Sequence, residues 1–179
     1  LLAGTATDTG ANVEVMVNFE NLNGTANRDI ILGTEGVNVL QGNGGNDELY
    51  GRAGADQLYG GAGLDYMSGG TEADYLSGGA DKDIFFGGGG IDTMTGGGGD
   101  DEYYISATDV SDIINELPGG GNDRVFASVS YALAAVSEIE TIGTNSNAGI
   151  VAINLTDSEK ANIVDGNNGL NVIEGSGGN

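Results

Sequence analysis

The sequence predicts an all-β chain wound as a solenoid, with two parallel sheets facing each other across a thin apolar layer. Three observations predict it. A nine-residue unit repeats without a break nine times between Gly24 and Tyr104. The eighth residue of every unit is apolar, and its two neighbours project to the opposite face if the segment is a strand. The remaining residues are dominated by glycine, which permits positive φ and close backbone approach in a turn.

The register is regular. Position 1 is Gly24, Gly33, Gly42, Gly51, Gly60, Gly69, Gly78, Gly87 and Gly96. Position 6 is Asp29, Asn38, Asp47, Asp56, Asp65, Asp74, Asp83, Asp92 and Asp101. Position 8 is Ile31, Leu40, Leu49, Leu58, Met67, Leu76, Phe85, Met94 and Tyr103. The last three residues of a unit, such as Glu48-Leu49-Tyr50, predict a very short strand, and the first six predict the turn. Two units then make one coil of 18 residues, with a strand on each side and a turn at each edge. Four segments follow: a strand-like cap over 1–23, the nine-unit solenoid over 24–104, a strand-rich spacer over 105–147 and a second, degenerate repeat block over 148–179.

Composition narrows the chemistry. The 179 residues include 35 glycines, one proline and no cysteine, histidine or tryptophan. Formal charge is -22, from 27 acidic and five basic residues. Arg28, Arg52, Lys82, Arg124 and Lys160 are scattered singly, so nucleic acid and anionic membrane surfaces are poor partners and cations good ones. No apolar run approaches 18 residues, so no membrane-spanning helix is expected. Leu1 is not a natural start and the last unit stops short at "GSGGN", so the chain reads as a piece of a longer protein.

The acidic residues stand in register, which a merely solvated acidic surface does not require. Turns on one edge belong to alternate units, and neighbouring strands lie about 4.8 Å apart. An ion midway between Asp47 and Asp65 is then about 2.4 Å from oxygens on both turns, within the calcium range and long for magnesium. Carboxylates and turn carbonyls are hard ligands, whereas zinc and copper favour the imidazole and thiolate that are missing here. Facing carboxylates at that spacing repel by about 1 kcal/mol in water and about 3.5 kcal/mol at an effective dielectric of 20. One buried apolar side chain per unit does not offset the ordering of nine residues, so metal binding is expected to supply folding energy.

These copies resemble the RTX nonapeptide G-G-x-G-x-D-x-U-x, the hemolysin-type calcium-binding repeat. The resemblance implies a parallel β-roll, export through a type I secretion system and folding outside the cell. It also implies that several calcium ions are shared between stacked turns. Their ligands would be the side chains of Asp29, Asn38, Asp47, Asp56, Asp65, Asp74, Asp83, Asp92 and Asp101. The position 4 glycines Gly45, Gly54, Gly63, Gly90 and Gly99 would add backbone carbonyls. Position 4 departs from glycine at Asn27, Glu72 and Asp81, where the turn is harder to adopt. Position 2 is Thr25, Thr34, Asn43 and Arg52 before becoming glycine, so the middle and later sites look best formed. Asn38 brings an oxygen but no charge, so its site is expected to be weaker.

Past residue 104 the rhythm breaks. "VSDIINEL" (110–117) and "RVFASVSY" (124–131) alternate like strands, and Pro118 with the following glycines turns the chain between them. Asp123 and Val125 fall where positions 6 and 8 would, making Asp123 a further candidate ligand. "ALAAVSEIETI" (132–142) predicts a short helical turn entering another strand. The segment resembles spacers between RTX blocks. Later, Asn162 and Asn171 take position 6, which predicts a polar, metal-free ladder or a capping coil.

Catalysis is disfavoured in this chain. Without histidine or cysteine no Ser-His-Asp or Cys-His machinery can be built, and paired catalytic carboxylates need environments that differ, whereas these recur identically. A parent protein of such a roll can still be an enzyme, since similar rolls form non-catalytic C-terminal parts of secreted hydrolases and epimerases. Tyr50, Tyr59, Tyr66, Tyr75, Phe86 and Tyr104 should face outward, either packing across strands or meeting a carbohydrate or cell-surface partner, as in an adhesin-type extender. A regular outward threonine row, as ice binding would want, is not present at positions 7 and 9. The expected role is a calcium-dependent, secreted folding module.

Overall fold

Each unit becomes one strand and one bend, and each strand lies beside the strand two units away. The computed structural model describes residues 4–5, 14–17, 20–109, 111–134, 137–144, 154–156 and 163–174. Asn162 and most of the expected N-terminal cap lie outside the described residues.

Every strand pairing is parallel, and through the repeat block partners stand one coil apart. Leu40 aligns with Leu58 and Leu58 with Leu76 on one side. Leu49 aligns with Met67, Met67 with Phe85 and Phe85 with Tyr103 on the other. A seven-stranded sheet therefore runs from Gly4–Thr5 through Val39–Gly44, Gln57–Ala62, Tyr75–Ala80 and Thr93–Gly98 to Ile113–Ile114. A nine-stranded sheet faces it, from Glu14–Val17 through Glu48–Ala53, Tyr66–Thr71, Ile84–Gly89 and Glu102–Ile105 to Ile163–Asp165. Tyr131–Ala132, Leu155–Thr156 and Ile173–Glu174 form a third, three-stranded sheet. This is a parallel β-roll.

The strands are longer than the three residues expected. Val39–Gly44 continues past Gly42, with Asn43 aligned to Gly61 and Gly44 to Ala62. Pairing thus runs into position 3, and the bend itself is confined to positions 4 to 6. Glycine makes this possible because neighbouring backbones approach more closely than a side chain allows. A Cβ on Gly60 would fall 2.8 Å from the Gly78 carbonyl oxygen and into the Asp65 carboxylate.

The core of the repeat block is built from two facing columns of position 8 side chains, one from each sheet. Ile31, Leu40, Leu49, Leu58, Met67, Leu76, Phe85, Met94 and Tyr103 are fully buried between the sheets. Phe85 and Tyr103 stack at 4.8 Å within one column. On the outer face of the nine-stranded sheet a second aromatic row joins Tyr50, Tyr66, Phe86, Tyr104 and Phe126, with successive centroids 4.7–5.6 Å apart. These rings pack on one another across strands.

The spacer continues the roll with coils of changed length. Met94 aligns with Ile114, Tyr103 with Val125 and Val125 with Ile142. The strand expected over 110–117 shrinks to Ile113–Ile114, although the alternation survives: Asp112, Ile114 and Glu116 point inward while Ser111, Ile113, Asn115 and Leu117 point out. Acidic residues flanking one apolar residue on the inward face leave little to pack, so regular pairing stops early. Residues 135–136 of the helical turn expected within 132–142 lie outside the described residues, and on either side of them the Ser137 N–H donates to the Ala134 carbonyl. No helix occurs among the described residues.

With calcium saturating, Phe85→Ala is expected to lower stability by about 3–5 kcal/mol. Val37→Ala, on an exposed bend, should change it by less than about 0.5 kcal/mol. Urea unfolding midpoints of both variants check the contrast.

Candidate metal centre

The position 6 side chains form two ladders, one along each edge of the roll. All are buried: Asp29, Asn38, Asp47, Asp56, Asp65, Asp74, Asp83, Asp92 and Asp101 are at most 3% exposed. Each backbone N–H at position 6 donates to Oδ1 of the side chain one coil further on. Asp47 N–H reaches Asp65 Oδ1 at 2.8 Å, and Asp65 N–H reaches Asp83 Oδ1 at 2.8 Å. The other ladder runs Asn38 to Asp56, Asp56 to Asp74 and Asp74 to Asp92 at 2.7–2.8 Å. Each internal rung therefore both gives and receives one bond.

That leaves the second carboxylate oxygen. Oδ2 of Asp47, Asp56, Asp65, Asp74, Asp83, Asp92 and Asp101 is buried and accepts no hydrogen bond. A buried anion without a donor is costly, and natural proteins pair it or bind a cation to it. Among the described residues the basic side chains do not serve: Arg28 pairs with Glu48 and Lys82 with Glu102 at the surface, Arg124 lies over the Phe126 ring and Arg52 is exposed. Turn carbonyls are the other polar groups nearby. The Gly45 carbonyl is held against the α-carbon of Gly63, and that of Gly99 against Gly121. The donor set is oxygen throughout, which suits calcium.

From the third unit onward the turns share a positive-φ bend, which Asn27 and Gly36 at position 4 of the first two units do not adopt. Gly45, Gly54, Gly63, Gly90 and Gly99 at position 4 have φ of 109°, 108°, 113°, 146° and 131°. Side chains also stand at positive φ at position 4 in Glu72 (72°) and Asp81 (69°), and at position 2 in Asn43 (75°) and Arg52 (84°). Each costs on the order of 1–3 kcal/mol, so the stack imposes the bend on unfavourable residues.

Three turns show the alternative. Thr25 donates its backbone N–H to Asp29 Oδ2 at 2.7 Å, with its hydroxyl at 3.1 Å from the same oxygen. Thr34 N–H likewise reaches Asn38 Oδ1 at 2.7 Å, and Asn38 Nδ2 donates to the Thr34 hydroxyl at 3.0 Å. In the second block, Asn171 Nδ2 donates to the carbonyls of Asn167 at 2.8 Å and Gly169 at 3.1 Å. Those are the position 2 and position 4 carbonyls of that unit. An amide donor there fills the role that a carboxylate leaves to a cation.

Sequence spacing did not reveal Asp112, Glu116 and Glu140. Asp92 N–H donates to Asp112 Oδ1 at 2.9 Å, Asp101 N–H to Asp123 Oδ1 at 2.9 Å and Asp123 N–H to Glu140 Oε2 at 2.7 Å. Asp123 thus stands in the ladder as its spacing to Val125 suggested. Asp112-x-Ile114 and Glu140-x-Ile142 carry the same acid-x-apolar signature, hidden because these coils span 20, 22 and 17 residues.

A family model for the RTX calcium-binding nonapeptide repeat matches residues 23–58, 32–67, 59–94, 77–104 and 154–179, together more than half of the chain. The chain belongs to the RTX calcium-binding repeat family. Neither a curated protein nor a solved structure matches it. This RTX chain is accordingly a calcium-binding β-roll module, and the match takes in residues 154–179 of its aspartate-poor second block.

Burial first, and neighbouring carboxylates after it, push the ladder of the cation-free RTX roll upward in pKa. Asp47, Asp56 and Asp101 rise to about 6, Asp65 and Asp74 to about 7 and Asp83 to about 8. Groups with raised pKa hold protons more readily in the folded chain than in the unfolded one. Cation-free stability should therefore grow as pH falls from about 8 toward the ordinary carboxylate range, and be lost as pH rises through those values. Circular dichroism in chelator is expected to show more β-structure at acid than at alkaline pH, and calcium uptake near neutrality should release protons.

Asp65→Asn retains Oδ1 for the Asp47 N–H and adds an amide that can donate as Asn171 does. It should fold with fewer bound ions. Asp65→Ala also strands the Asp47 N–H, at a further cost of about 1–3 kcal/mol, and disturbs the turns on both sides. Native mass spectrometry with urea unfolding distinguishes the two variants.

Proposed function

We propose that this RTX module uses calcium as its folding switch. The observation that carries the reading is the row of buried Oδ2 atoms without donors, set against Asn171, whose amide satisfies the equivalent carbonyls internally. Calcium ions are placed between stacked turns of each edge, beginning with the turn that ends at Asp47. Asp47, Asp56, Asp65, Asp74, Asp83, Asp92 and Asp101 supply carboxylate oxygens, with carbonyls from Gly45, Gly54, Gly63, Gly90 and Gly99. Asn38, uncharged and partnered through Thr34, holds an ion weakly, and Asp29, whose Oδ2 is taken by Thr25, has only its buried Oδ1 to offer.

The biological consequence follows from concentration. Extracellular calcium modules bind with Kd of about 10⁻⁴–10⁻³ M, so the chain stays unfolded at cytosolic calcium and folds outside the cell. Passage through a type I secretion channel, which the family implies, needs an unfolded chain on one side and a folding cue on the other. The roll itself is a structural element of a larger secreted protein. The outward aromatic row supports this reading over a sugar-binding face, because its rings are used up in stacking on one another.

A calcium titration of chelated protein, followed by circular dichroism near neutral pH and low salt, tests the switch. A cooperative gain of β-signal between micromolar and millimolar calcium is expected. An unchanged β-signal in excess chelator would overturn it.

A further inference from the structure

One group of acids differs from the regular rungs. Asp101 closes the last regular turn and Asp123 is the next rung on that edge, with the Asp101 N–H donating to Asp123 Oδ1 at 2.9 Å. Between them the irregular segment brings in Glu116. The three carboxylates offer oxygens that all lie within 4.8 Å of one another, and among the described residues no other three acids converge so closely. Oxygens on opposite sides of one calcium ion are about 4.6–5.2 Å apart, so the group matches a single ion.

The side chains are built in rather than gathered by chance at a surface. Asp101, Glu116 and Asp123 are 0%, 7% and 1% exposed. Gly96 N–H donates to Glu116 Oε1 at 3.0 Å, and the Tyr103 hydroxyl donates to the same atom. With Oε1 held by two donors, Oε2 is fixed in place, buried and without a partner, as is Asp101 Oδ2. The Gly97 carbonyl lies 2.8 Å, and Glu116 Oε2 3.2 Å, from the point where a Cβ of Gly120 would sit, so a further hard oxygen adjoins the carboxylate.

We propose that Asp101, Glu116 and Asp123 together form a three-carboxylate calcium site at the end of this ladder, tighter than the two-carboxylate rungs, that clamps the irregular segment onto the last regular turn. The proposal rests on the reading that the turns bind calcium. Three carboxylates outweigh the charge of one divalent ion, and calcium affinity rises with ligand charge and rigidity. The site also answers a need of the fold. The seven-stranded sheet ends here at Ile113–Ile114 while the other continues through Arg124–Ala127, so the irregular segment is held by little regular pairing of its own. An ion joining Glu116 to Asp101 and Asp123 fastens the glycine turn at 119–121 over the Gly96–Asp101 bend.

The test uses the full chain with calcium and with terbium, a luminescent calcium surrogate. Glu116→Gln keeps an acceptor for Gly96 and Tyr103 but removes the charge. It is expected to bind one ion fewer by native mass spectrometry and to lose the tightest step of a calcium titration, weakening that step by at least about tenfold. The first equivalent of terbium on the unaltered chain should emit on tyrosine excitation, and Tyr103→Phe, which leaves all three carboxylates, should lose that first-equivalent emission. If Glu116→Gln fails to fold in saturating calcium, the Tyr103→Phe comparison decides. An unchanged ion count and affinity in Glu116→Gln, or first-equivalent emission independent of Tyr103, would overturn the clamp while leaving the ladder intact. Absence of any calcium uptake by the unaltered chain would overturn both.

Discussion

A carboxylate oxygen enclosed by protein with no hydrogen-bond donor is the constraint on which this roll depends. From Asp47 to Asp101 the Oδ1 of each ladder aspartate is satisfied by a backbone N–H, so the stack is held in register by the acids themselves. Oδ2 is left facing acceptors alone. Protons can relieve that position at low pH, and a divalent cation can relieve it at neutral pH. Without either, the attraction between stacked backbones works against repulsion along two acidic rows.

The rest of the architecture is arranged around this constraint. Glycine at position 1 makes room for the carboxylate and for the carbonyl of the next coil, and positive φ at position 4 bends the chain back within three residues. So little side chain remains that each sheet gives the apolar core a single column of residues. Such a core buries only about 1.5–3 kcal/mol per unit, less than nine ordered residues cost. On the proposed reading, folding and cation binding would be a single event, and the chain would answer to its ionic surroundings as much as to its own contacts.

Much of this was legible in the sequence because one rule, acid-x-apolar after a glycine turn, repeats at a constant interval. Asp47 through Asp101 and their partners at position 8 could be assigned from spacing alone. Glu116 could not, because it follows the interval of a strand rather than of the repeat: it lies on the face of Asp112 and Ile114, two residues apart each time. Asp112 and Glu140 were hidden by insertions and deletions that lengthen or shorten a coil while its register is kept in space. Position 2 carried a further signal. Threonine there completes a hydrogen-bonded turn, as Thr25 and Thr34 show, whereas with asparagine, arginine or glycine there the carboxylate Oδ2 accepts no hydrogen bond. The strands proved longer than expected because glycine-rich residues still pair with one another when no side chain intervenes.

The most direct measurement is a crystal structure grown in calcium, with diffraction collected where calcium scatters anomalously. Anomalous peaks about 2.3–2.6 Å from Oδ2 of Asp65, Asp74 and Asp83, each lying between successive bends, are the predicted result. Bends without such peaks, with the same oxygens bonded to water or to protein donors, would contradict the account.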